Sequence, residues 1–323
     1  MQPVNLIVSC TNRKRAVVPR ALRARTLRAK SLPKRLDEWA RRRATHDVEV
    51  CPAADLYAGD HWQVAQTIPR EAVESGREVR LWVCSAGYGL IRASDPVKPY
   101  SVTFAARHPD SIMRLATGEA NRSAASMWWS GLCERSGSNG GPRSIADLAT
   151  REPDVPIIVV ASEPYVRAMA PDLVEAIAAL ESEDLLSVLS GGADAKRSPQ
   201  LAAYLLSADA RFEAVVGGIR AALNARIARL VFQHLNDGDT PTRPHLEATL
   251  RQLCSELPPL RRFDRRRLSD NEVREFIEEE RRADPVISKT RLLRKLRAGG
   301  SACEQDRFSE IFSQALKEAG DGT

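Results

Sequence analysis

The sequence predicts an α/β fold: a parallel, doubly wound sheet with helices on both faces, followed by a C-terminal helical domain. Three observations predict it. The short, continuous apolar runs VNLIVS (4–9), VRLWVCS (79–85) and PIIVVA (156–161) read as strands buried on both faces. Helical patterns separate most of these runs, as the crossovers between parallel strands require. From residue 245 onward no run reads as strand, and four amphipathic helical patterns follow one another.

In chain order, residues 4–9 form the first strand. Residues 20–46 read as a basic helix broken near Pro33, because proline has no N–H to give a helix interior. VEVC (48–51) is a candidate second strand, and a helix follows over 61–75. The third strand is 79–85. A helix over 110–134 ends in the turn-rich GSNGG. The fourth strand spans 156–161, a helix 164–181, the fifth strand 185–190 and a short sixth 203–207. A long helix covers 209–236. The stretch NDGDTPTRP then reads as a linker, which divides the chain into an α/β catalytic domain (1–236) and a helical domain (237–323). Within the second, helices over 245–257, 270–283, 288–298 and 303–318 carry a helix-turn-helix character, with Gly299-Gly300 as a turn.

At 323 residues the chain suits one large domain or two. Its net charge of +6 conceals an asymmetry. Residues 13–43 hold thirteen Lys/Arg against Asp37 and Glu38 alone. Such a patch points to a polyanionic partner, or to a solvated arginine-rich surface. The six cysteines at 10, 51, 84, 133, 254 and 303 contain no C-x-x-C pair, which argues against a zinc site, and no other metal or cofactor is expected. Free thiols fit a reducing compartment, and no leader or run of about 18 apolar residues is seen, so a cytoplasmic location and no membrane partner are expected. No obligate protein partner is evident.

Ligands of an open parallel sheet bind outside the carboxyl ends of its strands. The segments that follow the strands are SCTNRKR (9–15), DLYAGDHW (55–62), SAGYGLIRASDPVKPYSVTF (85–104), SEPY (162–165), SGG (190–192) and SADAR (207–211). They bring small polar residues and tyrosines to one rim. Ser9, Thr11, Ser85 and Glu163 are candidate substrate contacts. Asn12 either reads an amide edge and positions water or caps a helix. Arg13, Lys14 and Arg15 suit phosphates. Asp55 is the candidate water activator or cation stabiliser, and His61 a proton donor. Asp60 and Trp62 serve either this site or the helix cap and core. Tyr57, Tyr88 and Tyr100 are candidate stacking surfaces for a base. Gly59, Gly87 and Gly89 permit close backbone approach or positive φ. Ser190-Gly191-Gly192 is either an anion nest or a turn. No G-x-G-x-x-G follows a strand, and no Walker A or G-x-S-x-G motif is present, which excludes dinucleotide, P-loop and serine-hydrolase readings.

Taken together, VSCTNRKR, DLYAGDHW and VCSAGYGLI with its downstream PYSVTF resemble a bacterial family with the pattern S-C-x-x-K, L-Y-x-G, S-A-x-Y-G-L and P-Y. That family is similar to the C-terminal domains of archaeosine tRNA-guanine transglycosylases, with a uracil-DNA-glycosylase-like α/β fold. The matched positions are Ser9, Cys10, Lys14, Leu56, Tyr57, Gly59, Ser85, Tyr88, Gly89, Pro99 and Tyr100, within residues 1–215. The resemblance implies a DNA glycosylase of the anti-phage kind, which excises a modified base such as glucosylated hydroxymethylcytosine from phage DNA. The chain lacks the G-Q-D-P-Y-H and H-P-S-P motifs of uracil-DNA glycosylases, so no catalytic residue carries over. On that reading the catalytic candidates are Asp55, Asn12 and His61. Arg13, Lys14, Arg15, Arg291, Arg294 and Lys295 would hold the nucleic-acid backbone. The alternatives are a nucleotide or tRNA transglycosylase-type enzyme and a non-catalytic nucleic-acid-binding defence module.

Overall fold

The computed structural model describes residues 3–115, 120–135, 140–191, 199–207, 209–236, 238–258 and 265–320. They form two compact units, divided between Pro258 and Pro259.

The first unit is an α/β layer built on a six-stranded sheet. Its strands are β1 (Val4–Ser9), β3 (Val79–Ser85), β4 (Gly89–Arg92), β6 (Ile157–Val160), β7 (Leu186–Ser190) and β8 (Leu205–Ser207), in the order β4-β3-β1-β6-β7-β8. All neighbours are parallel except β4, which turns back antiparallel on β3. Every residue of β1 and of β6 is buried. A strand flanked on both edges and covered on both faces has no wet side, which is why these sequences do not alternate. β1 pairs with β3 from Val4↔Val79 to Ser9↔Cys84 and with β6 from Asn5↔Ile157 to Val8↔Val160. The chain therefore leaves β1 toward β3 on one side and later fills β6 on the other. That reversal makes the crevice between the C-terminal ends of β1 and β6 the topological switch point.

The helices of this unit are α1 (Leu32–Thr45), the single turn α2 (Ala53–Leu56), α3 (Asp60–Glu74), α4 (Ala120–Arg135), α5 (Ile145–Arg151), α6 (Glu163–Ala179), α7 (Glu213–Val216), α8 (Leu223–Gln233) and α9 (Arg243–Ser255). α3 packs on α8, while α4 packs on α1 and α6, and α5 on α6. The crossovers β1-α3-β3 and β6-α6-β7 run in opposite directions, so right-handedness puts α3 and α6 on opposite faces. Asp172 ties the α4–α6 layer together. Its carboxylate accepts the Trp129 indole at 2.8 Å and the backbone N–H groups of Ile145 and Ala146 at the start of α5 at 3.0 and 2.9 Å.

Several expectations are corrected by the structure. Residues 48–51 do not enter the main sheet. β2 is only Cys51–Pro52, and it pairs antiparallel with β5 (Pro96–Val97) in a separate ribbon. Of the basic 20–46 segment only Leu32–Thr45 is α-helix, preceded by short turns at Arg20–Leu22 and Ala24–Thr26. The long helix over 209–236 is broken at Gly217 and Gly218, which take φ of 60° and 77°, a left-handed conformation that no α-helix contains. The expected division at 236 moves to 258. α9 belongs to the first unit because Leu246 and Leu250 join its core and Arg243 pairs with Asp184 at 2.5 Å.

The second unit contains α10 (Asp270–Ala283), α11 (Lys289–Ala298) and α12 (Gln305–Gly320), with a two-residue parallel pairing of β9 (Arg266–Arg267) and β10 (Ser301–Ala302) that the sequence pattern does not announce. Ser269 and Glu272 form a capping box at the start of α10. Leu268, Val273, Ile277, Leu292, Leu296, Phe308 and Ile311 form a core of its own. Among the described residues no helix is long and apolar enough to cross a membrane, and no cluster of His, Cys, Asp or Glu could hold a metal. The six cysteines are free thiols.

Separate cores predict separable stability. Phe308 is fully buried, so Phe308→Ala should cost the C-terminal unit about 3–5 kcal/mol. Native-state hydrogen exchange should then accelerate over residues 265–320 and remain unchanged in β1, β3 and β6. Equal acceleration in both units would show one cooperative core instead.

Candidate functional site

The C-terminal ends of β1 and β3 carry a polar cluster below the sheet's rim. Three hydroxyls meet there. Tyr57 Oη lies 2.9 Å from Tyr100 Oη, and Ser85 Oγ lies 2.6 Å from Tyr100 Oη and 3.4 Å from Tyr57 Oη. Ser85 Oγ also accepts the backbone N–H groups of Gly87 and Tyr88 at 3.2 and 3.1 Å, which folds the chain sharply at the end of β3. The Lys14 ammonium stands over the rings of Tyr57 and Tyr100, 4.9 and 4.7 Å from their centroids, and donates to the Thr11 carbonyl. Burial pulls its pKa down to about 8 and pushes the Tyr57 and Tyr100 hydroxyls well above their ordinary range.

Local sequence explains this arrangement. A bridge between Lys14 and Tyr57 closes the segment after β1 onto the end of α2. Arg15 N–H donates to the Leu56 carbonyl, Ala58 N–H to the Arg13 carbonyl, and Thr11 Oγ1 to the Ala58 carbonyl. Gly59 follows with φ of 99° and opens α3. Gly87 is required by space: a Cβ there would lie 2.5 Å from the Tyr100 ring. Two buried indoles fix the same turn, with Trp128 donating to the Ala86 carbonyl and Trp39 to the Gly87 carbonyl, both at 2.8 Å. Gly89 takes φ of 82° where the chain reverses into β4.

A second group lies at the switch point. Ser9, 6% exposed at the end of β1, places Oγ 3.4 Å from His61 Nε2 on the first turn of α3. Burial lowers the His61 pKa to about 4, so the imidazole is neutral near pH 7. Cys10 Sγ meets Tyr165 Oη at 3.2 Å across the β1–β6 crevice. Glu163 is the first residue of α6, mostly buried, with the Arg167 guanidinium at 3.7 Å. Asn224 of α8 spans the next gap, donating to the Ala161 carbonyl and accepting Gly191 N–H. The structure thus pairs Ser9 with His61 and Cys10 with Tyr165 at the end of β1, and sets Glu163 at the start of α6, after the neighbouring β6.

Other expected residues are placed differently. Asp55 is exposed on α2, beside Cys51 and Glu49, because Ala53 and Leu56 turn that single helical turn's other face to the core. Asn12 is exposed and caps no helix, since none begins there. Arg13 and Arg15 are exposed. Tyr57 and Tyr100 are 0% exposed, and Tyr100 is ringed edge-on by Trp39, Tyr57 and Tyr88, so neither ring offers a stacking face. Tyr88 is half-buried, with the Arg43 guanidinium 4.5 Å over its ring. Asp60 begins α3 and pairs with Arg226 of α8 at 2.6 Å, and Trp62 is core. The Gly191 N–H is taken by Asn224, and Gly192 lies outside the described residues. In the second unit Arg291 reaches Asp284 at 4.0 Å and Lys295 reaches Glu280 at 2.5 Å, while Arg294 is exposed. A cavity of about 490 Å³ lies elsewhere, against β8 and α9.

Tyr165, Asn224, Arg226, Trp39 and Trp128 are absent from the sequence-based set. Tyr165 carried a signal, being in the segment after the fourth strand. The others sit within helices, where nothing local distinguishes a rim contact from core or surface.

Both displaced pKa values have consequences for stability. Lys14 holds its proton less tightly folded than unfolded. Its own contribution to stability should therefore rise above about pH 8, against the opposing loss from the buried thiols of Cys84 and Cys133, which ionise more readily in the unfolded chain. Lys14→Met should flatten that rise in urea melts; an unchanged slope would place the ammonium in water. His61 likewise binds its proton less tightly folded, so stability should fall as pH drops from 6.5 toward about 4. His61→Gln should shrink that loss, and NMR titration of the imidazole checks the value directly. Comparison of the chain with protein-family models, curated proteins and solved structures finds no match.

Proposed function

We propose that the first unit is a glycosidase that excises a modified base from DNA, on a uracil-DNA-glycosylase-like fold. The observation that carries the reading is the pairing of Ser9 with a neutral His61 at the end of β1, with Glu163 opening α6 just after the neighbouring β6 of a mostly parallel sheet. Crevices of this kind receive nucleotide-like ligands in open α/β sheets. The exposed cations among residues 13–43, Arg13 and Arg15 beside the rim included, support a polyanionic substrate. The sequence resemblance supports DNA as that polyanion, and phage DNA with glucosylated cytosines as the kind.

In this reading the target nucleotide is flipped out of the duplex into the crevice. The glycosidic C–N bond breaks, and its electron pair leaves with the base. Water forms the new C–O bond at C1′ and loses a proton to the Glu163 carboxylate, which also faces the cationic sugar. Glu163 takes the role first assigned to Asp55, whose exposed position on α2 is outside the crevice. Ser9 and His61 hydrogen-bond the departing base, and the neutral imidazole can do so as donor through one nitrogen and acceptor through the other. Lys14, Tyr57, Tyr100 and Ser85 position the loops of the rim and do not touch substrate. Tyr88, half-buried, is the tyrosine left to meet a base, with Arg43 behind it.

The test is base release. DNAs carrying unmodified, hydroxymethylated and glucosylated cytosine should be incubated with the protein and assayed for abasic sites. Release is expected from the modified DNA. Glu163→Gln should reduce the rate by 100-fold or more, on the order expected for a general base, with an unchanged melting temperature. Wild-type protein that binds these DNAs and forms no abasic site would establish a binding module instead. Release from free nucleotides alone would establish a nucleotide enzyme.

A further inference from the structure

The second unit contains a cationic groove that the reading of the first unit does not use. It has a volume of about 440 Å³ and runs along one side of α11. Lys289, Leu293 and Arg297 recur every four residues, and Thr290 and Arg294 lie beside them, so they share one helical face. Gln305 and Ser309, also four apart, supply the opposing wall from α12. Arg265 contributes a fourth cation. No carboxylate lines the groove among the described residues. Leu293 is 7% exposed and seals its base. Arg297 is held in place by its bond to the Cys303 carbonyl at 3.0 Å.

The remaining cations of the helix are differently used. Arg291 and Lys295 turn to Asp284 and Glu280, at the end of α10. The basic residues of α11 are therefore sorted: two are matched by carboxylates, and Lys289, Arg294 and Arg297 face a concave surface free of them. Exposed cations interleaved with neutral hydrogen-bonding side chains suit a run of phosphate oxygens, which need charge and donors at several points. A groove lined by one sign of charge also concentrates a polyanion along its length.

We propose that this groove is a phosphodiester-backbone site, through which the C-terminal unit grips duplex nucleic acid independently of sequence. Lys289, Arg294, Arg297 and Arg265 supply the charge, and Thr290, Gln305 and Ser309 the neutral hydrogen bonds. The site assigns the backbone contact to Lys289 and Arg294, in place of Arg291 and Lys295. It stands whether or not the first unit excises a base.

The experiment uses the full chain and a labelled, unmodified duplex of about 20 base pairs, followed by fluorescence anisotropy over a salt series. The groove variant is Lys289→Glu with Arg294→Glu. The control is Arg291→Glu with Lys295→Glu, which makes the same charge change on the same helix. Melting curves establish that both variants are folded. The groove variant should lose on the order of tenfold or more in affinity and lower the log–log salt slope by about 2, as expected when two phosphate contacts are removed. The control should change affinity less than the groove variant does. Equal losses in both variants would overturn the proposal, since net charge alone would explain them. So would an undiminished groove variant, or a wild-type chain that binds phosphatidylserine vesicles and not DNA. Anisotropy on unmodified duplex reads binding alone, and abasic-site formation is read separately on modified DNA, so failure of the groove and failure of the excision reading are distinguishable.

Discussion

Everything at the rim depends on β1 being an interior parallel strand. It is buried on both faces and bonded along both edges, so its position cannot drift. The chain must then leave its C-terminal end at the point where the sheet changes direction. Ser9 and Cys10 are held there at the level of the neighbouring Cys84 and Val160 strand ends. The residues that reach them come from afar: His61 from α3 and Tyr165 from α6. Rigid strands supply the placement, and helix starts supply the functional groups.

The buried cluster beneath the rim is a second constraint. Placing an ammonium and three hydroxyls in the interior is costly unless each finds a partner. Here the hydroxyls bond one another, the ammonium has two aromatic faces and a carbonyl, and the serine receives two backbone N–H groups. Removing one member would strand the others. This explains why Gly87, Trp39 and Trp128 belong to the same assembly. The small residue lets the Tyr100 ring close the cluster, and the indoles satisfy the carbonyls that the tight turn would otherwise bury alone.

The main strands were legible in the sequence because two-sided burial leaves a local mark, a continuous apolar run. β1 and β3 coincide with their expected bounds, and β6, β7 and β8 differ by a few residues at most. β2 and β4 were not legible. A two-residue ribbon is fixed by its distant partner, and the GLIR of β4 is too short to separate from a loop. The site was legible at the level of segments and not of side chains. SCTNRKR, DLYAGDHW and SEPY do converge, yet which member of each faces the crevice depends on helix phase. α2 lasts one turn, and that turn sends Asp55 outward while burying Leu56 and Tyr57. Gly87, beside the tyrosines in sequence, serves the packing of the Tyr100 ring, which a Cβ there would meet.

The two displaced titrations also define the charge of the rim. His61 becomes cationic only below about pH 4, and Lys14 loses its charge only above about pH 8. Across the interval between them the pair carries a single positive charge, on the ammonium over the Tyr57 and Tyr100 rings. Burial has lowered both pKa values and so moved the interval of constant charge toward acid: the His61 shift extends it below neutrality, and the Lys14 shift closes it near pH 8. A polyanion approaching this edge meets the same contribution from these two residues in mildly acidic and in neutral solution.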